Sequence, residues 1–457
     1  MPPKFGTSGL RGLVTELTPD LVADYVRAFI EACPVGTGLF VARDLRLSSP
    51  AIAHIVIDSA RAEGLVVTDC GEVPTPALAL ASMRAGAAAV MVTGSHIPAD
   101  RNGLKFYVPL GEIGKAEETA ILSNLGRHSA GKAGTVVKNT EAGANYVARN
   151  LRAYGPALKG RRIGVYSHSA VGRDLLLEIV TGLGAEVVEL GRSDIFIPVD
   201  TEAVNFSTRT KLRKWARDNR LDAIVSTDGD GDRPLLTDEN GEVIVGDILG
   251  QITGKALGAD VAVTPVSSNT GAEVLFDHVI RTRIGSPFVI AGMERASGRV
   301  VGYEANGGFL LGFDAEGPAG KLPALATRDA VLPFMVPLVA AKEGLAALVA
   351  AQPARFTAAD RLQEVSVKAS ELLIAELDQN SSKRAVFLAA FGGIEESVDR
   401  TDGVRMTLAD GRVVHLRPSG NAPELRIYAE ADSKVLAQQV LNTGLELLRS
   451  VLTSGSF

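Results

Sequence analysis

The chain has 457 residues, 46% of them hydrophobic and 22% charged, and a net charge of −6. A single core does not usually grow this large, so several domains are expected, and the acidic balance gives no general basis for nucleic-acid binding. The longest apolar stretch, around 330–341, is interrupted by Pro333 and Pro337, and the amino terminus has no apolar signal core; neither a membrane span nor secretion is expected, and a cytoplasmic location follows by default.

Residues 38–42 read as an apolar strand leading into Arg43-Asp44, Ser48-Ser49-Pro50 as the cap of a helix to about 63, and 65–68 as the returning strand, a βαβ unit. Cys33 and Cys70 lie among apolar neighbours without CxxC spacing, as buried free thiols would. Strand 89–92 runs into Thr93-Gly94-Ser95-His96, and the Gly-, Ala- and Ser-rich segment 126–143 reads as a linker. A second unit takes a strand to residue 166, a helix over 174–183 and a strand over 186–190. Its later strand, 223–225, runs into Asp228-Gly229-Asp230-Gly231-Asp232-Arg233. A third begins at 261–264, caps at Ser267-Ser268-Asn269 and enters a helix toward His278; strand 300–302 then opens into Tyr303-Glu304-Ala305-Asn306-Gly307-Gly308. Three polar loops at strand ends make a weak architectural repeat and could meet over one cleft.

After a second linker at 351–359 the character changes. Strands 404–408 and 412–416 flank Asp410-Gly411, a strong hairpin signal. A third strand at 424–430 and a helix over 433–452 complete an α+β module.

The Asp228 loop carries the sharpest chemistry. Three carboxylates spaced by glycines in one tight turn suit a hard cation, and oxygen-only ligands favour Mg²⁺ over zinc; the plain alternative is a solvated turn. Ser95 beside His96 offers a nucleophile, though neither a GxSxG elbow nor a His-Asp relay accompanies it. If Ser95 carries a phosphoryl group, an oxygen of that group completes the coordination of a metal on Asp228, Asp230 and Asp232, with Lys105 and Arg233 as neighbouring cations. Arg417-Pro418-Ser419-Gly420-Asn421-Ala422-Pro423, with Arg426, offers guanidinium forks and backbone N–H groups for a phosphate. Glu304 has acceptors for sugar hydroxyls, and Gly307 and Gly308 would let backbone approach a ligand closely.

The chain resembles the α-D-phosphohexomutase superfamily, and within it the bacterial phosphomannomutase/phosphoglucomutase group, over essentially its whole length. The markers are Phe5-Gly6-Thr7-Ser8-Gly9-Leu10-Arg11-Gly12, Thr93-Gly94-Ser95-His96, the Asp228–Arg233 loop and Arg417-Pro418-Ser419-Gly420, in family order. The resemblance implies an α/β fold of three successive mixed α/β sheet domains plus a C-terminal α+β domain around a central cleft. The expected divisions are 1–140, 141–245, 246–355 and 356–457. It implies a phosphoserine at Ser95 and Mg²⁺ ligands at Asp228, Asp230 and Asp232. Glu304 would contact a sugar hydroxyl. Arg417, Ser419, Gly420, Asn421 and Arg426 would hold the non-reacting phosphate. Arg11, Lys105 and Arg233 would be basic active-site residues, and Arg283 and Asn306 further substrate contacts.

Three loops depart from the family pattern, the first being Arg283-Ile284-Gly285-Ser286, which lacks the Lys and His that many relatives carry. Asn421-Ala422 replaces Thr-Glu, and Asn306 and Gly308 stand where many relatives carry Ser and His. Lys105 is therefore the candidate general acid/base, with His96 as fallback or as the group orienting Ser95. The expected activity is interconversion of mannose 6-phosphate and mannose 1-phosphate through a hexose 1,6-bisphosphate, which also serves as activator, with glucose phosphates as alternative substrates. A metal-dependent sugar phosphatase and a silent sugar-phosphate sensor are the competing readings.

Overall fold

A computed structural model describes residues 3–6, 9–126, 133–418 and 423–454. The chain divides into two compact units, one running to Ala262 and resuming over Gly285–Ala351, the other comprising Val263–Ile284 and the chain from Gln352 onward.

In the first unit, an eight-stranded mixed sheet has Leu39–Arg43 flanked by Val67–Glu72 and Ala88–Val92, both parallel to it. All five residues of Ala88–Val92 are buried, the pattern of a strand covered on both faces. The sheet continues antiparallel through Arg101–Val108 to Leu10–Leu13. Helix Pro19–Ala32 buries Val22, Val26 and Phe29 at helical spacing, and Ser49–Ala62 buries Ile52, Val56 and Ala60; these side chains share one core with the sheet's Val41, Val90, Leu104 and Phe106. Thr18 caps the first helix with its side chain. Ser48 stands at the cap of the second without a side-chain capping bond, and its hydroxyl accepts from Asn102 Nδ2 at 2.8 Å.

A second sheet orders Glu186–Leu190, Arg162–Tyr166, Ala223–Thr227 and Pro234–Leu236. The first three are parallel and the last turns back antiparallel, so the Asp228 loop closes a hairpin at the carboxyl end of Ala223–Thr227. Val300–Tyr303 and Phe309–Leu311 form another antiparallel pair around the Glu304 turn.

The second unit holds a five-stranded antiparallel sheet in the order Phe356–Gln363, Glu424–Ala431, Val413–Pro418, Val404–Leu408, Glu395–Asp399. The closing helix Lys434–Ser454 contributes Val440, Leu441, Leu445 and Leu448 to its core.

Three sequence expectations change. The linker at 126–143 contains a strand, Val136–Lys138, which extends the first sheet beside Val67–Glu72, and the start of helix Ala142–Tyr154. The linker at 351–359 runs directly into Phe356–Gln363, an edge strand that is mostly exposed and so lacks an apolar rhythm. The helix after Ser267-Ser268-Asn269 is a single turn, Ala272–Leu275, because Phe276 is already extended and strand His278–Thr282 follows. Among the described residues no helix is long and apolar enough to cross a membrane.

Candidate active site

Ser95 sits at the end of the fully buried strand Ala88–Val92, itself buried, with φ of 53°. A serine in left-handed backbone geometry is held there by its surroundings. The surroundings are mostly Arg46. Its guanidinium donates to the carbonyls of Ser95 (2.9 Å), Ile97 (2.6 Å), Pro98 (2.6 Å) and Arg101 (2.9 Å), tying the whole loop to one side chain. Asp44 accepts from Arg46 Nε at 3.1 Å and from Thr93 Oγ1 at 2.7 Å, and Thr93 Oγ1 in turn accepts from Ser95 N at 2.8 Å. Phe196 lies 4.0 Å below the Arg46 guanidinium. Sequence reasoning missed Arg46; its available signal was an Asp-x-Arg pair immediately after an apolar strand.

The Ser95 hydroxyl donates to Asp228 Oδ2 at 2.5 Å, which brings the Ser95 and Asp228 loops together. Gly229 permits this approach, since a Cβ there would lie 2.7 Å from the Ser95 carbonyl oxygen. Asp228, Asp230 and Asp232 are fully buried, and one ligand atom from each falls within 4.8 Å of the others. Asp230 Oδ2 accepts from Lys105 Nζ (2.5 Å) and Thr75 Oγ1 (2.7 Å). Asp232 Oδ2 accepts from Lys105 Nζ at 2.6 Å and pairs with Arg328 Nη2 at 2.7 Å. Asp230 Oδ1 and Asp232 Oδ1 are buried without a hydrogen-bond partner. Buried carboxylate oxygens normally have partners, so this donor set fits a hard divalent cation.

Electrostatics separate the three. Burial, then Asp230 and Asp232, push the Asp228 carboxyl well above the usual range. Burial would raise Asp230 too, but Lys105, Thr75 and Arg328 more than offset it and hold its carboxyl below normal. Asp232 is lowered chiefly by Arg328 against the same burial. Arg11, half-buried in strand Leu10–Leu13, is lowered to about 10 by burial and by the Arg233 and Arg328 cations, a field that welcomes an anion. His96 is lowered to about 3 by burial and Arg233. It is therefore neutral near pH 7, and its Nδ1 accepts from Arg233 Nη1 at 3.1 Å while lying 3.3 Å from Ser95 Oγ.

Glu304 is buried in a tight turn in which its N–H donates to Gly308 O (3.1 Å) and its carbonyl accepts from Gly307 N (2.9 Å). Its carboxyl is raised by burial and opposed by Arg328, whose Nη1 lies 3.6 Å from Glu304 Oε1. Asn306 Oδ1 accepts from Gly308 N at 2.9 Å, so its amide oxygen shapes the turn. The two glycines make room for protein: a Cβ at Gly307 would lie 2.8 Å from Pro234 Cγ, and one at Gly308 2.6 Å from Arg328 Cδ. Arg328 was also missed from the sequence. Its signal was a polar Thr327-Arg328-Asp329 triplet just ahead of the apolar helix Leu332–Ala340.

Arg283, Arg417 and Arg426 belong to the second unit. Arg283 is exposed and donates through Nε to Thr401 O at 3.2 Å. Arg417 and Arg426 face each other on neighbouring strands, and Arg361 is the next residue in the same row. Directly opposed like charges are unfavourable without counter-charge. Asp402 supplies some at 2.8 Å from Arg417 Nε, and Glu424 lies 3.7 Å from Arg426 and 3.5 Å from Arg361. Ser419, Gly420 and Asn421 lie outside the described residues, as do Thr7 and Ser8.

Comparison with known proteins accounts for this collection of loops. Residues 2–131 match phosphoglucomutase/phosphomannomutase α/β/α domain I, and residues 357–443 match the C-terminal domain of the same family. A phosphomannomutase of Sinorhizobium fredii is 45% identical across 98% of this chain and 99% of its own length. One of Salmonella muenchen is 45% identical across 98% and 96%. The crystal structure of a phosphoglucomutase/phosphomannomutase family protein from Burkholderia thailandensis shares the fold with a TM-score of 0.79 at 21% identity, covering 99% of this chain and 98% of that one. The chain therefore belongs to the phosphoglucomutase/phosphomannomutase family, isomerases that transfer phosphate within a sugar.

Proposed function

We propose that this protein is a phosphomannomutase, interconverting mannose 6-phosphate and mannose 1-phosphate through a phosphorylated Ser95 and a hexose 1,6-bisphosphate. The observation that carries the reading is the 2.5 Å hydrogen bond from Ser95 Oγ to Asp228, inside a buried carboxylate triad ringed by Lys105, Arg233 and Arg328. The two relatives at 45% identity, both called phosphomannomutase, favour mannose over glucose.

In this reading the bond from phosphorus to Ser95 Oγ breaks as a bond to a sugar hydroxyl forms. Lys105, the candidate acid/base, gives a proton to the departing Ser95 oxygen and takes the sugar-hydroxyl proton in its place, and the exchange reverses when the second phosphate passes back to Ser95. Neutral His96 and Arg233 orient the serine. Glu304 accepts a sugar hydroxyl, and Arg417 and Arg426, with Arg283, Asn306 and the 419–421 segment, hold the sugar and its distal phosphate. Mg²⁺ would be held by Asp228, Asp230, Asp232 and an oxygen on Ser95, and when bound it neutralises the transferring group. A hexose 1,6-bisphosphate would serve as activator by phosphorylating Ser95. The working location is the cytoplasm, and the four divisions 1–140, 141–245, 246–355 and 356–457 are the domains of this reading.

The test is ³¹P NMR of the purified protein with Mg²⁺, a trace of hexose 1,6-bisphosphate, and mannose 1-phosphate or glucose 1-phosphate. A 6-phosphate signal growing faster from mannose supports the proposal, and one growing faster from glucose makes the protein a phosphoglucomutase. Inorganic phosphate alone would make it a phosphatase, and no change in either tube a sensor. Ser95→Ala should lower turnover by roughly 10⁴-fold or more, as loss of a nucleophile does.

A further inference from the structure

Arg328 is 2% exposed and reaches three carboxylates: Asp232 at 2.7 Å, Glu304 at 3.6 Å and Glu112 at 3.9 Å. Its backbone is pinned on both sides. Thr327 Oγ1 lies 3.4 Å from Tyr107 Oη. Asp329 donates through its N–H to Phe309 O at 2.8 Å, and its carboxylate receives Tyr146 Oη at 2.5 Å and Arg149 Nη1 at 3.2 Å. The arginine stem fills the space beside Gly308, where a Cβ would come within 2.6 Å of Cδ.

The two principal contacts differ in kind. At 2.7 Å Arg328 fixes Asp232 Oδ2 and leaves Oδ1 without a hydrogen-bond partner. At 3.6 Å it compensates the charge of Glu304 without occupying Oε1, which is likewise buried and without a hydrogen-bond partner. One carboxylate is oriented and the other is kept open as an acceptor. A planar guanidinium with two separated nitrogens can do both, whereas an ammonium is a single point charge.

We propose that Arg328 is a positioning residue that couples the metal loop to the sugar loop, supplying from outside the sugar loop a cation that its own residues lack. Through Asp232 it sets the direction of a metal ligand, and through Glu304 it places a compensating charge beside the acceptor for a sugar hydroxyl without occupying it. Glycine at 308 is the complementary half of the device.

The inference rests on the mutase reading, and it is tested with Arg328→Met, Arg328→Lys and Gly308→Ala in the full chain. Calorimetry with Mg²⁺ and with mannose 1-phosphate is read beside KM, kcat and Tm. Arg328→Met should raise the KM and Kd for the sugar phosphate about tenfold or more, because Glu304 loses its counter-charge, and should weaken Mg²⁺ binding about tenfold, because Asp232 loses the group that fixes its direction. Arg328→Lys should retain Mg²⁺ binding within about twofold and recover only part of the sugar affinity. Gly308→Ala should move sugar affinity in the same direction as Arg328→Met. Sugar affinity unchanged in Arg328→Met would overturn the proposal. So would parallel losses of Mg²⁺ affinity, sugar affinity and Tm in Arg328→Lys, the mark of a merely structural role. Absence of turnover in the unaltered protein would sink the mutase reading instead, and the binding measurements do not depend on it.

Discussion

Two hairpins of this molecule turn on Asp and Gly, and they use them in opposite ways. Around Asp410-Gly411 the carboxylate is exposed and serves its own turn, accepting from Arg412 N at 3.1 Å and Arg412 Nε at 2.8 Å. Around Asp228-Gly229-Asp230-Gly231-Asp232 all three carboxylates are fully buried, and their cations arrive from distant segments: Lys105 at 2.5 Å and Arg328 at 2.7 Å. The residue types are the same. Burial and the origin of the counter-charge separate a solvated turn from a site, because buried carboxylates are tolerated only with compensating cations.

The comparison breaks most readily at Asp230. Asp230→Asn should lower turnover by about 10²–10³-fold, as loss of one preorganised electrostatic group does, and remove Mg²⁺ binding by calorimetry. If that variant keeps both, the Asp228 loop is a turn like the other. Next in size is Arg46→Lys. A lysine cannot hold four loop carbonyls and stack on Phe196, so turnover should fall on the order of 10²-fold through misplacement of Ser95. A loss of Tm with an unchanged rate would place Arg46 in stability alone.

A third measurement tests what the two hairpin regions share. His168 donates to Thr227 O at 2.8 Å beside the Asp228 loop, and His415 donates to Asp402 O at 2.6 Å in the other unit. Each is buried and lowered to about 4, chiefly by burial. Below about pH 6.5 the unfolded chain binds the proton first, so the stability tied to each neutral imidazole is complete above that pH. It is lost toward pH 4 at about 1.4 kcal/mol per unit for each histidine. Chemical denaturation across this range should show that slope, and His168→Gln should remove one share of it. A slope unaltered by the substitution would exclude His168 as a source. The smallest effect belongs to Asp410→Asn, which should change stability by about 0.5 kcal/mol or less and leave turnover untouched. A rate change there would mean that the C-terminal turn also carries chemistry.

Legibility in the sequence followed chain distance. The Asp228 loop and the Ser95–His96 pair were visible because their members are consecutive and end apolar strands. Arg46, Thr75 and Arg328 were not, since each reaches its partners in the site across a long separation in sequence and the local Asp-x-Arg pair and Thr-Arg-Asp triplet do not say what those partners are. Lys105 was legible as a residue near the serine, but its pairing with both Asp230 and Asp232 was not. The glycines of the Glu304 turn were legible as sites of close approach, but the neighbours that approach them, Pro234 and Arg328, were not. Two segments that read as linkers carry strands, because the short strand Val136–Lys138 and the edge strand Phe356–Gln363 are mostly exposed and show no apolar alternation.

By itself, then, the sequence determined the strands and helices with apolar periodicity, the loops at their carboxyl ends, and which loops hold the serine–histidine pair, the carboxylates and the arginines, since all of these are encoded within a few residues. Tertiary structure alone decided which oxygen of Asp230 and of Asp232 is bonded and which is left open, which cation compensates which carboxylate, and why Ser95 keeps its left-handed backbone. Those outcomes depend on burial and on contacts between distant segments, and neither is written in local spacing.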